Sequence, residues 1–244
     1  MEFDLQTAAV IGVLFASTLV RSTFGFGDAL LAMPILVMIV GLRTATPLVA
    51  LAASTIALTI LVRHWRAVRF VSAWRLVAAS LVGIPVGRYL LEGLPESVMK
   101  TILAAVIVVF SLFHLLGRTP FGLKTERGAW PFGFVAGILG GAYNTNGPPV
   151  VIYGLLRRWP ADAFRATLQG YFFPTGLLIL ISHATTGLWT RPVGEYFLFS
   201  LPVVVLAVWL GARLNRAIPE GKFDRAIHVL LLCVGVLLFV QTLF

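Results

Sequence analysis

Charge is scarce in this chain. Asp, Glu, Lys and Arg make up 12% of its 244 residues, against about 25% in an ordinary soluble domain. With 59% hydrophobic residues and a mean hydropathy of +0.94, the composition is that of a membrane protein. Cysteine is nearly absent as well. Cys233 stands alone in the last apolar run, which excludes an intrachain disulfide framework and suits a packing role. Acids are outnumbered, 10 against 19 Lys and Arg, for a net charge of +9. The cations fall between apolar runs rather than along one face, so they argue for loops at anionic headgroups and against nucleic acid. Strand-like alternation is missing, which disfavours a β-barrel. No Gly-x-x-x-x-Gly-Lys-Ser/Thr run exists, so ATP drive within this chain is unsupported. His114 and His183 have no Cys or carboxylate at ligand spacing, and neither a metal nor any other cofactor is expected. The amino terminus lacks a basic segment and a clear cleavage site, so the first apolar run is expected to stay in the protein.

What the chain does have is long apolar runs, at 48–62, 71–91, 98–116, 193–210 and 223–244. Several approach the roughly 20 residues that cross a bilayer as a helix. Two glycine-rich polar stretches interrupt this pattern, at 23–28 (Thr-Phe-Gly-Phe-Gly-Asp) and at 144–149 (Asn-Thr-Asn-Gly-Pro-Pro). Paired interruptions at corresponding places in two halves are the best sequence pointer to a transporter's binding site.

The halves align across a polar connector. Gly27 matches Gly147, 120 positions on, and Gly87-Arg88-Tyr89-Leu90 with Leu94-Pro95-Glu96 matches Gly211-Ala212-Arg213-Leu214 with Ile218-Pro219-Glu220, 124 positions on. Residues 1–117 form the first repeat, 118–129 a cytoplasmic connector and 130–244 the second repeat. Matching loops differ in charge. The first half has Arg63, His64, Arg66 and Arg69 where the second has only Arg191 in 184–192; the acidic 92–97 loop corresponds to one with Arg213, Arg216, Lys222 and Arg225. Since basic loops stay in the cytoplasm, the repeats should be inverted. The expected fold is an all-α integral membrane protein of two inverted repeats, each a broken or re-entrant helical hairpin plus three long transmembrane helices. The hairpins are 5–40 and 130–156, and their second arms are too short to span fully.

At the breaks, Gly25 and Gly27 allow backbone shapes and close approaches closed to other residues. Gly147 with Pro148 and Pro149 would end one helix and begin another. The N-termini of the following arms offer N–H donors and partial positive charge to an anion. Thr23, Asn144, Thr145 and Asn146 add neutral donors, and Arg165, Thr167 and Gln169 open the next helix, within reach of a substrate or of headgroups. Asp28 is an acid at a membrane break, a candidate proton carrier that could equally cap its helix. Arg21 and Arg43 flank the first hairpin, where they either guide anions or snorkel to the interface. Trp65, Trp74, Trp159, Trp189 and Tyr196 read as interface anchors. Gly25-Phe26-Gly27-Asp28 also matches the short Gly-x-Gly-Asp signature of intramembrane aspartyl proteases. That chemistry needs a second buried carboxylate, and Asp4, Asp162 and Asp224 lie at the terminus or in predicted loops. No enzyme is expected.

Taken over nearly its whole length, the chain resembles the sulfite exporter TauE/SafE family of permeases. The residues carrying the resemblance are Gly25-Phe26-Gly27 with Ala32-Met33-Pro34-Ile35-Leu36, Gly137-Ile138-Leu139-Gly140-Gly141, Asn146-Gly147-Pro148-Pro149-Val150-Val151-Ile152-Tyr153 and Phe164-Arg165-Ala166-Thr167. Phe26 and Asp28 depart from the consecutive glycines of the family's first motif. The resemblance implies transport of a small anion, notably sulfite, thiosulfate or an organosulfonate, across a bacterial inner membrane by a multi-pass protein. The expected partners are that anion, protons and membrane lipid, with oligomeric state, a homo-oligomer included, left open. A passive anion channel and a non-transporting membrane assembly subunit are the alternative functions.

Overall fold

A computed structural model describes residues 4–115 and 122–217, with two isolated positions at 232 and 236. The first part of the connector, the Ile218-Pro219-Glu220 repeat anchor, Cys233 and most of the 223–244 run lie outside the described residues.

The described residues are helical and contain no strand. α1 (Leu5–Phe24) and α2 (Asp28–Val40) are followed by α3 (Leu42–His64), α4 (Phe70–Gly93) and α5 (Glu96–Leu115); α6 (Ala129–Tyr143) and α7 (Gly147–Leu156) are followed by α8 (Ala161–Thr185) and α9 (Arg191–Ala217). Among the described residues, four segments are long and apolar enough to cross a membrane: Leu5–Phe24, Leu42–Ala67, Phe70–Gly93 and Arg191–Asn215. α2 has 13 residues and α7 has 10, which at 1.5 Å per residue rise only about 20 Å and about 15 Å against a hydrocarbon core of about 30 Å.

The helices are inside out relative to a soluble protein. α1 buries Thr7, Ser17, Thr18, Arg21, Ser22 and Thr23, while apolar Phe70, Val71, Leu81, Val82 on α4 and Leu198, Val205, Leu206 on α9 face outward. Lipid solvates those outer faces, and Thr7, Ser17, Arg21 and Thr23 find partners within the bundle, while the Thr18 and Ser22 hydroxyls have none among the described residues. Trp65, Trp74 and Trp189 are about half exposed, as interface anchors should be. Trp159 and Tyr196 are buried instead. Trp159 sits edge-on between Tyr153 and Phe164 and packs on Gly154, so its ring fills the base of the second hairpin rather than a belt.

Glycine sets the closest helix contact. A Cβ at Gly137 would lie 2.7 Å from Ser80 Cα, one at Gly141 2.2 Å from the Ile84 carbonyl oxygen, and one at Gly87 2.0 Å from that of Ile138. α4 and α6 therefore meet backbone to backbone, as small residues permit in a membrane. The seam is fastened by the Ser80 hydroxyl, which donates to the Gly133 carbonyl at 2.7 Å and lies 2.8 Å from the Tyr171 hydroxyl on α8. On the other flank α9 runs along α1, with Gly211 against Ser22 and Leu19. Between them α3 packs on α8, α9 on α3 and α4 on α8.

Both breaks turn their chains back. At the open end of the first hairpin the Gln6 side chain donates to the Ile39 carbonyl at 2.9 Å. At that of the second, Leu123 N–H donates to the Leu156 carbonyl at 2.8 Å, and Glu126 accepts from Tyr153 and Arg157. Contacts with α8 order the two tips. Gly25 meets Arg165 and Gln169 near the start of α8, whereas Asn146 and Gly140 meet Thr175 and Ile179 farther along.

Candidate functional site

Each break is three residues long. α1 ends on Gly25 and α6 on Asn144, both left-handed, with φ of 89° and 54°. Gly27, at φ 101°, precedes α2, and Asn146 precedes α7, neither helix start having a side-chain cap. Gly25 and Gly27 are thus required by conformation; at Asn144 the side chain tolerates the same region. The helix ends set Gly25, Phe26 and Gly27 opposite Asn144, Thr145 and Asn146, one residue from the register of the glycines. Asp28 then corresponds to Gly147 rather than Pro148, and still has no acidic equivalent.

The two breaks line one cavity. Its walls are Arg21, Gly27, Asp28, Ala29 and Leu30 from the first hairpin, Asn144, Thr145, Asn146 and Gly147 from the second, and Ala53, Phe172 and Gly176 from α3 and α8. The free space is about 20 Å³, room for roughly one water molecule.

Charge enters the cavity from one side. Arg21, 2% exposed, donates from Nη1 to Asp28 Oδ2 at 2.6 Å and from Nη2 to Gln169 Oε1 at 3.0 Å, with its guanidinium 4.7 Å from the Phe172 ring centre. Gln169 Nε2 donates to the Gly25 carbonyl at 2.7 Å, tying α8 to the first break. Arg21 Nε and Asn144 Nδ2 are buried donors with no partner among the described residues. The first-turn N–H groups of α2 also lack intrahelical acceptors. α7 offers less, because Pro148 and Pro149 carry no N–H and leave that of Gly147. The arrangement sets one cation and two unpartnered buried donors beside a single carboxylate, which suits an anion.

The sequence-selected residues divide into groups. Gly27, Asp28, Asn144, Thr145, Asn146 and Gly147 line the cavity. Gly25 and Gln169 support it from behind. Thr145 Oγ1 donates to the Tyr143 carbonyl and Asn146 Nδ2 to Thr175 Oγ1 at 3.3 Å, so these side chains also hold the turn itself. Thr23 and Arg165 stand off the cavity. Thr23 bonds backward to the Leu19 carbonyl, while its own carbonyl accepts from Asn215 Nδ2 at 2.6 Å; Arg165 lies under Gly25 and donates to Asn215 Oδ1. Pro148 faces elsewhere, lining an apolar groove of about 500 Å³ with Pro149, Ile152, Phe132 and Phe110. Arg21 is the residue that sequence reasoning undervalued. It does not snorkel, and its signal was the polar face Ser17, Thr18, Arg21, Ser22 on an otherwise apolar helix. No metal-holding cluster of His, Cys, Asp and Glu occurs among the described residues.

A separate network closes the base of the second hairpin. Glu126 accepts from Ser72 Oγ at 2.7 Å, Tyr153 OH at 2.8 Å and Arg157 Nη2 at 2.6 Å. Burial alone would raise its carboxyl, but the three donors and the Arg157 charge outweigh it and hold the group below its ordinary value.

The sequence profile described as sulfite exporter TauE/SafE matches residues 9–238. The chain belongs to the sulfite exporter TauE/SafE family. It is therefore a transmembrane permease of a transporter family whose substrates are anions, integral to a lipid membrane. No curated protein and no solved structure matched it.

Proposed function

We propose that this TauE/SafE member is a secondary transporter that binds one small anion between its two helix breaks and moves it by alternating access. The observation that carries the reading is that both breaks line one small cavity holding a buried guanidinium and unpartnered donors. Backbone N–H groups of α2, Gly147 N–H and Asn144 would hold the anion, with Thr145 and Asn146 shaping the second break and Gln169 the first. Asp28 is the proton-coupling candidate, since it is the acid on the cavity wall. A cavity this small and this enclosed favours a carrier over a passive pore.

Inverted repeats are part of the reading. Exchanging the halves maps α1 to α6, α2 to α7, α3 to α8 and α4 to α9. Under that exchange the α4–α6 packing becomes α9–α1, α3–α9 becomes α8–α4, and α3–α8 becomes itself, all of which occur. Gly87 on Ala142 and Gly211 on Ser22 are equivalent contacts at the sequence offsets of 124 and 120. The order of the tips along α8 supports insertion from opposite faces, with the Arg63–Arg69 and Arg157–Arg158 ends cytoplasmic. The family points to sulfite or a related sulfur oxyanion as substrate and to the bacterial inner membrane as its place. Purified protein in liposomes should take up sulfite, thiosulfate or sulfoacetate faster than sulfate or a simple carboxylate, driven by an inward proton gradient. Absence of uptake for every anion would overturn the reading, and uptake at channel-like flux without coupling would replace it with a pore.

A further inference from the structure

We propose that Arg21 is the counter-ion of the transported anion, and that the Asp28 carboxylate holds the anion's position on it until a proton displaces it. This rests on the anion site read above and adds the charge that binds and the event that couples.

The geometry assigns unequal freedom to the two members of the pair. Arg21 is held by three partners on two elements: Asp28 on α2, and Gln169 and the face of Phe172 on α8. Gln169 is itself fixed by its bond to the Gly25 carbonyl, so the guanidinium cannot follow a departing partner. Asp28 has only Arg21 as a side-chain partner among the described residues. The carboxylate is therefore the mobile half.

Charge balance then decides when an anion can bind. A guanidinium stays charged, and as found it is neutralised by Asp28. Adding an anion to the intact pair would set two negative charges on one buried cation, which the low-dielectric site resists. A proton taken onto an Asp28 oxygen removes one negative charge, releases Nη1 and leaves the whole positive charge of the guanidinium to the incoming anion, so a monoanion is balanced and a dianion such as thiosulfate keeps one negative charge fewer in excess. No other bond is made or broken. A carboxylate and a small oxyanion present the same paired oxygens to Arg, and the roughly one-water cavity admits the anion only where the carboxylate has left. Arg21 Nε and Asn144 Nδ2, both buried without partners, are the added donors that receive its remaining oxygens. The other charged group near this end is Arg165 of α8, below Gly25 and engaged by Asn215. The lining residues of α3, α7, α8 and the second break are uncharged. Because linkage is reciprocal, the proton and the anion each favour the other's binding, and transport is symport.

Thiosulfate binding to the purified full chain in lipid nanodiscs, at about pH 5.5 and about pH 7.5, tests this. Thiosulfate keeps its charge over that range, so a pH effect reports the protein. Wild type should bind roughly 10-fold more tightly at the lower pH. Asp28→Asn should bind equally at the two pH values, and at least as tightly as wild type does at the lower one. Arg21→Gln could misfold by stranding Asp28, so the charge-balanced pair Arg21→Gln with Asp28→Asn is the second variant; it should fold, by its unfolding temperature, and bind at least about 30-fold more weakly. Weaker binding by Asp28→Asn than by wild type at both pH values, or full binding by the folded double variant, overturns the switch while leaving the anion site standing. Failure of wild type to bind thiosulfate, sulfite or sulfate at either pH overturns the anion site and the switch together.

Discussion

Both breaks are three residues long and both end a helix on a left-handed residue, yet they bring different chemistry to the cavity. The first sets a buried ion pair, Arg21 with Asp28, beside a helix start rich in free N–H groups. The second sets Asn144, Thr145 and Asn146 beside a helix start from which two prolines have removed donors. Glycine makes the first turn and leaves charge to a neighbour one helical turn back. Asparagine makes the second and supplies the donor itself. An anion between them would take its charge balance from one side and its directional hydrogen bonds from the other.

Removing Arg21 should break this division most severely. Arg21→Gln strands a buried carboxylate, which typically costs about 3–5 kcal/mol, and should abolish uptake. Adding Asp28→Asn should restore the unfolding temperature without restoring uptake, which separates the fold from the function of the first break.

The seams that seat the two hairpins offer the next contrast. Gly141→Ala would push a Cβ to 2.2 Å from the Ile84 carbonyl oxygen, with Arg88 N at 3.1 Å, so only backbone could yield. A loss of about 1–3 kcal/mol is expected. Gly211→Ala meets first the Ser22 side chain at 2.5 Å, then the Leu19 carbonyl at 3.0 Å, and should lose less. Gly12→Ala, inside α1 with open space around it, should lose nothing and gain about 0.5–1 kcal/mol in the same thermal unfolding series.

Much of this was legible beforehand. The breaks, the hairpins and the short second arms follow from glycine, proline and hydropathy, because a helix cannot continue through those residues in lipid without a buried partner for its backbone. The ion pair was less legible. Asp28 was conspicuous as an acid at a break, but Arg21 on a helix of mostly apolar residues looks the same whether it snorkels outward or turns in, and only packing decides. α8 was also understated. Gln169, Gly170, Pro174 and Thr175 dilute its hydropathy, and it is absent from the four apolar spans, yet it touches both breaks. A helix shielded from lipid by its neighbours is free to be polar, so the centre of the bundle carries the weakest membrane signal. Pro148 belonged to the right motif but faces the apolar groove, since the two sides of a hairpin arm are not distinguished by a run of six residues.

A gentler change probes the second break. Asn144→Gly keeps the left-handed turn and removes only the side-chain donor; it should weaken anion binding roughly 5- to 10-fold, in line with about 1 kcal/mol for one hydrogen bond. Asn144→Ala should add a stability loss of about 1–2 kcal/mol from the φ of 54°. Comparing the two by binding and by unfolding separates the donor from the turn.

The smallest effect is expected at the base of the second hairpin. The Glu126 carboxyl titrates below its ordinary value of 4.5, so its contribution is fully present above that pH and fades as pH falls through the lowered value. Glu126→Gln should therefore lower the unfolding temperature slightly near neutrality, and the difference from wild type should shrink below about pH 4. A partly exposed site keeps the effect small.

The claim that both breaks serve one anion is tested most directly by protection. In a Cys233→Ser background, Ala29→Cys probes the first break and Thr145→Cys the second, each reacted with a small thiol reagent in rising sulfoacetate, which does not itself consume the reagent. The shared site predicts that sulfoacetate protects both thiols with one half-saturating concentration, and that adding Arg21→Gln and Asp28→Asn removes protection from both. Protection at one break alone, or at two unrelated concentrations, would contradict it.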